Sequence, residues 1–172
     1  MAISFIQESR IYKPDEVIEF IDYAVNDESI ISTNRRNQET KQIEYCYNIP
    51  ASFDIETTSF YQKDGSKAAI MYEWTFGVNG LVMIGRTWEE FGTMINTLCE
   101  HLKLNLNKRL VIYVHNLGFE FQFLRKHFKW YKVFSVDTRK PVYAIARCGL
   151  EFRCSYLLSG YNLEKLGDEL QK

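Results

Sequence analysis

The sequence predicts an α/β protein built on a mixed sheet, in which antiparallel strands come first and a parallel strand follows a helix. Asn79-Gly80 lies between two apolar runs and is a strong signal for a two-residue hairpin. Thr87-Trp88-Glu89-Glu90 has the pattern of a capping box that opens a helix. Residues 110–114 are continuously apolar and follow that helix, as expected of a covered strand that pairs in parallel with an earlier one.

The composition is that of an ordinary soluble globular protein. The chain has 172 residues, of which 46% are hydrophobic and 25% are charged, and this is enough for one domain of ordinary size. The formal net charge of -1 argues against a polycationic coat for nucleic acid. Any nucleic-acid contact would therefore have to be made in a local groove.

The cellular compartment is predicted from what the sequence lacks. No run approaches the roughly 18 apolar residues of a membrane span, and the first residues lack the basic start and apolar core of a signal peptide. Four widely spaced Cys residues and three His residues favour reduced thiols over a disulfide framework or a zinc site. We therefore expect a cytoplasmic protein without a membrane partner, in the host cytoplasm if the gene belongs to a phage.

Residues 1–48 differ in character from the rest and are predicted to form an N-terminal extension. Pro14 suits a first helical turn, and apolar residues at helical spacing predict a helix over 15–25. Residues 32–42 are polar, with Arg35 and Arg36 at the centre, and predict a loop or a flexible arm. A solvated linker is favoured there over a nucleic-acid contact.

Residues 49–172 carry the regular alternation of strands and helices. Tyr72, Trp74 and Phe76 are assigned to the core. The predicted elements are strands at 51–57, 68–78 and 81–84, a helix from 87 to about 103, a strand at 110–114, a helix over about 119–129, strands at 133–136, 142–147 and 151–156, and a last helix capped by Asn162.

Two acidic residues in the first of these strands are the first candidate site. Asp54 and Glu56 are two residues apart, and this spacing places both side chains on one face of a strand. Either water or a divalent metal ion could balance the two charges. The residues alone leave both possibilities open.

The second candidate site follows the apolar strand at 110–114. Residues 115–120 read His-Asn-Leu-Gly-Phe-Glu, with a turn at the carboxyl end of the strand and Glu120 in the first turn of a helix. Ligands of sheets that contain parallel strands bind at such ends. Glu120 could instead serve the helix dipole, and Asn116 could serve as a turn or cap residue.

Together the two stretches resemble a known family. Phe53-Asp54-Ile55-Glu56-Thr57-Thr58 resembles the first motif of DEDD-type 3′–5′ exonucleases, in the form found in family B DNA polymerases. His115-Asn116-Leu117-Gly118-Phe119-Glu120 resembles the second motif, and its form is similar to that of the small protein-primed phage DNA polymerases. The resemblance covers about residues 50–170, with the two motifs about sixty residues apart.

The resemblance implies an RNase H-like exonuclease domain that removes nucleotides from a DNA 3′ end with two Mg²⁺ or Mn²⁺ ions. Asp54 would bridge the two ions, Glu56 would hold the ion on the side of the nucleophile and orient the water, and Glu120 matches the acid of the second motif. The residues that match positions holding the single strand are Thr57, Thr58, His115, Asn116 and Phe119.

The sequence departs from the family pattern in two ways. The family usually has Asp at the position of Glu120. The third motif, Tyr-x-x-x-Asp, is absent, because Tyr161 is followed at that spacing by Lys165; the catalytic acids of the polymerase palm are absent too. We therefore expect an N-terminal piece of a polymerase, arising as a fragment, a split-gene product or a diverged domain, whose partner would be the C-terminal polymerase portion.

A second hypothesis assigns the same fold to a catalytically silent binding module. Such a module would dock the polymerase remainder, a terminal protein or single-stranded DNA. The missing third motif and the longer side chain of Glu120 favour this hypothesis for the chain alone. The last predicted helix, over residues 162–172, would then be a docking edge, because its Leu residues need a cover.

Overall fold

The computed structural model describes residues 10–170 and shows helices flanking one mixed sheet of ten strands. Residues 1–9, within the predicted N-terminal extension, and residues 171–172, at the end of the predicted docking helix, lie outside the described part. The strands are β1 (Ile11–Tyr12), β2 (Ile30–Arg36), β3 (Ile43–Tyr47), β4 (Ala51–Tyr61), β5 (Lys67–Val78), β6 (Leu81–Gly85), β7 (Lys108–Val114), β8 (Trp130–Ser135), β9 (Pro141–Ala146) and β10 (Leu150–Cys154). The helices are α1 (Val17–Ala24), α2 (Trp88–His101), α3 (Leu117–Leu124), α4 (Ser155–Ser159) and α5 (Leu163–Leu170), with short 3-10 turns at Pro14–Glu16 and Asp27–Ser29.

The order of strands in the sheet confirms the predicted mixture of antiparallel and parallel pairing. The order is β1-β6-β5-β4-β7-β10-β9-β8, with β2 and β3 joined to it through β7. β4, β5 and β6 are antiparallel neighbours, whereas β7 is parallel to both β4 and β10. Asn79 and Gly80 both have positive φ, 49° and 85°, as the predicted tight hairpin requires.

The hairpin of β2 and β3 overturns the prediction of a loop or flexible arm over residues 32–42. Residues 30–36 form a strand, and only the following residues turn. Asn37 is buried in that turn, where its Oδ1 accepts hydrogen bonds from the backbone N–H groups of Glu39 and Thr40. β3 then pairs with β7 from Tyr45 to Tyr47, and β4 continues along the same side of β7. The sheet therefore runs across residue 48, and the division into an extension and a domain stays a prediction.

The main core lies on the face of the sheet that α1 and α2 cover. Phe53 of β4 and Trp74 of β5 pack against Phe91 of α2, with ring centroids 5.0 and 5.4 Å apart. α2 begins at the predicted capping box, in which Glu90 N donates to Thr87 Oγ1 at 3.1 Å and Thr87 N donates to a Glu90 carboxylate oxygen at 2.8 Å. This helix covers one face of β4, so the other face remains exposed to solvent.

A β-bulge explains why the assignment of Tyr72 to the core is wrong. Pairing between β4 and β5 passes from Glu56↔Glu73 to Thr57↔Met71, so Tyr72 is the extra residue. The bulge reverses the alternation of faces beyond it. Met71 is therefore buried and Tyr72 is half exposed, while the assignment of Trp74 and Phe76 to the core is confirmed.

The other predicted elements match the structure apart from their ends, whereas the short strand β1 was not predicted. β4 continues four residues past the predicted end at 57, and α3 stops at Leu124 rather than near 129. β10 ends at Cys154, and the next five residues form α4, which the sequence did not predict. Asn162 caps the last helix as expected, since its Oδ1 accepts from Lys165 N at 2.9 Å. Within residues 10–170, no helix is long and apolar enough to cross a membrane.

Candidate functional site

β4 presents the two predicted carboxylates on the uncovered face of the sheet. Burial alternates along the strand, with Phe53 and Ile55 buried and Asp54 and Glu56 exposed. This alternation confirms that the two acidic side chains share one face. Because Phe53 packs against Phe91 of α2 and Ile55 is buried on the same side, β4 holds both carboxylates toward solvent on its other side.

The second predicted stretch forms a tight turn between β7 and α3. Asn116 is in the left-handed region, with φ 62° and ψ 51°, and its side chain makes no capping hydrogen bond. Asn adopts this conformation more readily than most residues. Gly118 is needed for close packing, because a Cβ atom there would lie 2.6 Å from the backbone oxygen of Arg139. The turn therefore fixes where the first residues of α3 lie.

Glu120 is a buried carboxylate in the first turn of α3. Its exposure is 4%, and its Oε2 has no hydrogen-bond partner within the described structure. Burial raises the pKa of Glu120 to about 7, and the negative charge of Asp54 contributes to the same rise. The fold therefore brings the acid of the second motif near that of the first.

The pair fits a hard divalent cation on the chemistry of its donors. A buried carboxylate oxygen without a donor is costly unless it is protonated or faces a cation. Mg²⁺ is usually held by one or two carboxylates and keeps several waters. Asp54 and Glu120 offer such a pair, with Glu56 on the same face as Asp54. Within residues 10–170, no three His, Cys, Asp or Glu side chains come together as a ready metal-binding group.

The predicted strand-binding residues divide by face and exposure. Thr58 is exposed and follows Glu56 at the spacing that places both on one face, whereas Thr57 is half buried and lies on the opposite face. Phe119 is 43% exposed, with its ring centroid 5.5 Å from that of Phe123. Thr58 and Phe119 are therefore accessible to a ligand. Thr57 instead faces the covered side of the sheet, where it can support β4.

His115 contacts two residues of α4 that the sequence did not single out. Its Nδ1 lies 3.3 Å from Ser155 Oγ, and its ring meets that of Tyr156 edge-on at 5.7 Å. Tyr156 is 42% exposed. Both residues directly follow β10, which is parallel to β7, so the carboxyl ends of the two strands bring them together. The sequence signal for this contact is that both stretches directly follow strands.

The fold and these carboxylates define a mixed α/β protein in which two acidic residues from separate elements, Asp54 and Glu120, interact near the carboxyl end of a parallel strand. No protein-family model, curated protein or solved structure matches the chain.

The buried carboxyl group of Glu120 should make stability depend on pH. Its ordinary pKa is 4.5 and its pKa in the folded chain is about 7. Between these values the folded chain keeps a proton that the unfolded chain loses, so the free energy of unfolding should fall as pH rises from 4.5 to 7. Glu120→Gln should remove this slope and stabilise the chain by about 3 kcal/mol at pH 8.

Urea unfolding at pH 5 and pH 8 in the presence of a chelator measures this effect. Glu89→Gln is the matched control, because Glu89 also lies in the first turn of a helix but is exposed. The control should retain the wild-type difference between the two pH values. An identical pH dependence in Glu120→Gln and wild type would contradict the assignment of the slope to this group.

Proposed function

We propose that this chain is the 3′–5′ exonuclease portion of a protein-primed DNA polymerase and hydrolyses phosphodiester bonds at a DNA 3′ end with Mg²⁺ or Mn²⁺. One observation carries the proposal. The buried Oε2 of Glu120 lacks a hydrogen-bond partner within the described structure and lies within the electrostatic influence of Asp54. The two acids come from separate motifs, each of which resembles an exonuclease motif.

The order of elements supports an RNase H-like fold as part of this proposal. Three antiparallel strands, β4 to β6, are followed by α2 and then by β7, which is parallel to β4. α3 begins shortly after the end of β7 and carries Glu120. This is the layout that the resemblance implies for the two motifs, a strand for the first and the start of a helix for the second.

Each residue has a separate role in the proposed hydrolysis. Asp54 and Glu120 would hold the ions together with Glu56, and bound ions supply a hydroxide near neutral pH and stabilise the leaving oxygen. Glu56 faces solvent and would orient the attacking water. Thr58 would donate to the strand, and the exposed ring of Phe119 would stack on a base or sugar. Glu120 must be ionised to bind a cation, so protons compete with the metal and activity at limiting metal should rise with pH.

A silent binding module on the same fold is the second candidate. The sequence lacks the Tyr-x-x-x-Asp motif. The carboxyl group of Glu120 also retains its proton up to a pH of about 7. In this case the chain would bind a polymerase remainder, a terminal protein or single-stranded DNA, and its carboxylates would bind metal weakly.

Isothermal titration calorimetry with MnCl₂ separates the two candidates. We expect wild type to bind Mn²⁺ at pH 8 and to bind it more weakly at pH 6, because a proton competes for Glu120. Asp54→Asn and Glu120→Gln should each weaken binding about tenfold or more, as expected for the loss of a ligand. Glu89→Gln should bind like wild type.

Two outcomes would count against the exonuclease proposal. Binding of Mn²⁺ that Asp54→Asn leaves unchanged would place the cation elsewhere. Wild type that binds no Mn²⁺ at millimolar concentration, yet binds single-stranded DNA tightly, would identify the silent module.

A further inference from the structure

A polar groove lies on the same face of the sheet as Asp54 and Glu56. Its volume is about 490 Å³, and residues of the β2–β3 hairpin, β7 and β8 to β10 line it. Arg35, Lys132, Arg153, Tyr131 and Tyr143 are among these residues. The groove thus combines cations with aromatic side chains, and the site described above does not include it.

The register of the strands shows that the groove and the carboxylates share one face. Ser52 lies two residues before Asp54 on β4 and pairs with Tyr113 of β7. Tyr113 pairs with Arg153 of β10, which pairs with Tyr143 of β9. Paired residues on neighbouring strands point to the same side of a sheet. A strand of nucleic acid could therefore cross from the groove to Asp54 without leaving this face.

Arg153 is held in a fixed orientation at the floor of the groove. The buried carboxylate of Glu151 accepts from Arg153 Nε at 2.7 Å, and a terminal guanidinium nitrogen of Arg153 lies 2.6 Å from the same oxygen. The side chain of Arg153 is nevertheless 39% exposed. Part of its guanidinium group thus remains available to an anion. Because Glu151 already holds the side chain of Arg153, binding an anion costs little of its conformational entropy.

The rim of the groove supplies cations that form no salt bridge among the described side chains. Arg35 on β2 and Lys132 on β8 are exposed, and neither forms a salt bridge with a side chain that the structure describes. The charge of Arg35 acts at longer range on Glu44, whose pKa it helps to lower. Arg109 lies deeper and is neutralised by Glu44 and Glu151, so it does not add to the positive charge that an anion would meet in the groove. Because the whole chain has a formal charge of -1, this positive charge is local.

The two tyrosines of the groove indicate the kind of anion that fits. Tyr131 and Tyr143 are half buried, and neighbouring side chains hold each ring in place. The guanidinium of Arg147 lies 5.8 Å from the ring centroid of Tyr131, and the ring of Tyr143 stacks on Phe134 at 5.5 Å. Proteins that bind single strands combine a positive groove with aromatic rings on which unpaired bases stack. A base-paired duplex offers no free base faces to these rings. The combination therefore favours a single strand over a duplex or a simple phosphate.

We propose that this groove binds the backbone of single-stranded DNA, with phosphates at Arg35, Lys132 and Arg153 and bases against Tyr131 and Tyr143. The choice of DNA rests on the proposed function, but binding in the groove needs neither metal nor hydrolysis. The bound strand would lead across the sheet to Asp54 and Glu56.

Fluorescence anisotropy with a labelled oligo-dT strand, in a chelator and over a range of NaCl concentrations, tests the proposal. The double variant Arg35→Ala/Lys132→Ala should bind about tenfold more weakly than wild type, or weaker still, at low salt. Loss of two phosphate contacts should also reduce the slope of log affinity against log salt by about 1.4. The control is Lys63→Ala/Lys126→Ala, which removes two exposed cations outside the groove and should bind like wild type.

Several results would overturn the proposal. Wild type that does not bind the strand, a groove variant that binds as tightly as wild type, or equal affinity for duplex DNA or for poly-glutamate would each do so. Groove binding with no nuclease activity would retain this inference while the proposed function fails, and nuclease activity without groove binding would do the reverse.

Discussion

Asp54→Ala is expected to abolish metal-dependent degradation of single-stranded DNA from its 3′ end while leaving the fold intact. Asp54 is exposed on β4, and its strand is fixed by the buried neighbours Phe53 and Ile55. Its removal therefore leaves no cavity in the core. Bound metal supplies several kcal/mol of transition-state stabilisation. Since each increase of about 1.4 kcal/mol in the activation free energy slows a reaction tenfold, the rate should fall by about 10³-fold.

A 5′-labelled oligonucleotide incubated with Mn²⁺ and resolved on a gel measures this loss. Glu89→Ala is the control, since it removes an exposed acid on a different element and should degrade DNA at the wild-type rate. Urea unfolding at pH 5, where Glu120 keeps its proton, should give the same midpoint for Asp54→Ala and wild type. Degradation that survives in Asp54→Ala would rule out the proposed site, and no degradation by wild type supplied with the proposed C-terminal polymerase portion would rule out the exonuclease.

The parts of the fold that the sequence predicts well are those set by local signals. The hairpin at Asn79-Gly80 depends on two residues that adopt positive φ, and the start of α2 depends on a capping box within four residues. The shared face of Asp54 and Glu56 follows from the period of a strand. In each case the physical cause lies within a few residues of the pattern.

The parts that the sequence does not predict depend on contacts between distant residues. The polar stretch after residue 30 forms a strand because its partner β3 pairs with β7, about sixty residues away. Tyr72 is exposed because of a bulge in its pairing with β4. The burial of Glu120 has no local signal either, since a carboxylate at a helix start is usually solvated, and only the tertiary fold places it near Asp54.

Arg109→Ala is expected to cause a large loss of stability, because it removes a buried cation from between two carboxylates. Arg109 on β7 is 4% exposed. One of its terminal guanidinium nitrogens is 2.7 Å from a Glu44 oxygen and the other is 3.0 Å from the second Glu44 oxygen, which makes this contact bidentate. Its Nε lies 2.9 Å from Glu151 Oε2, an ion pair without the geometry of a hydrogen bond.

The loss follows from what Arg109→Ala leaves behind. Glu44 and Glu151 would remain in the interior with side chains 12% and 6% exposed. Arg153 would still pair with Glu151, but Glu44 would lose its cation. Removing one partner of a buried ion pair costs about 3–5 kcal/mol, because the remaining charge is uncompensated. Urea denaturation should therefore show a much lower midpoint with an unchanged slope.

Arg10 provides the matched control, since it too pairs with two carboxylates. It lies 2.6 Å from Glu19 and also pairs with Glu16, but its side chain is 47% exposed. Water replaces the lost partners of an exposed pair, so Arg10→Ala should leave the midpoint close to that of wild type. The double variant Arg109→Ala/Glu44→Ala should be more stable than Arg109→Ala alone, because it removes the carboxylate that was left unpaired. Equal effects of Arg10→Ala and Arg109→Ala would show that burial does not set the strength of this network.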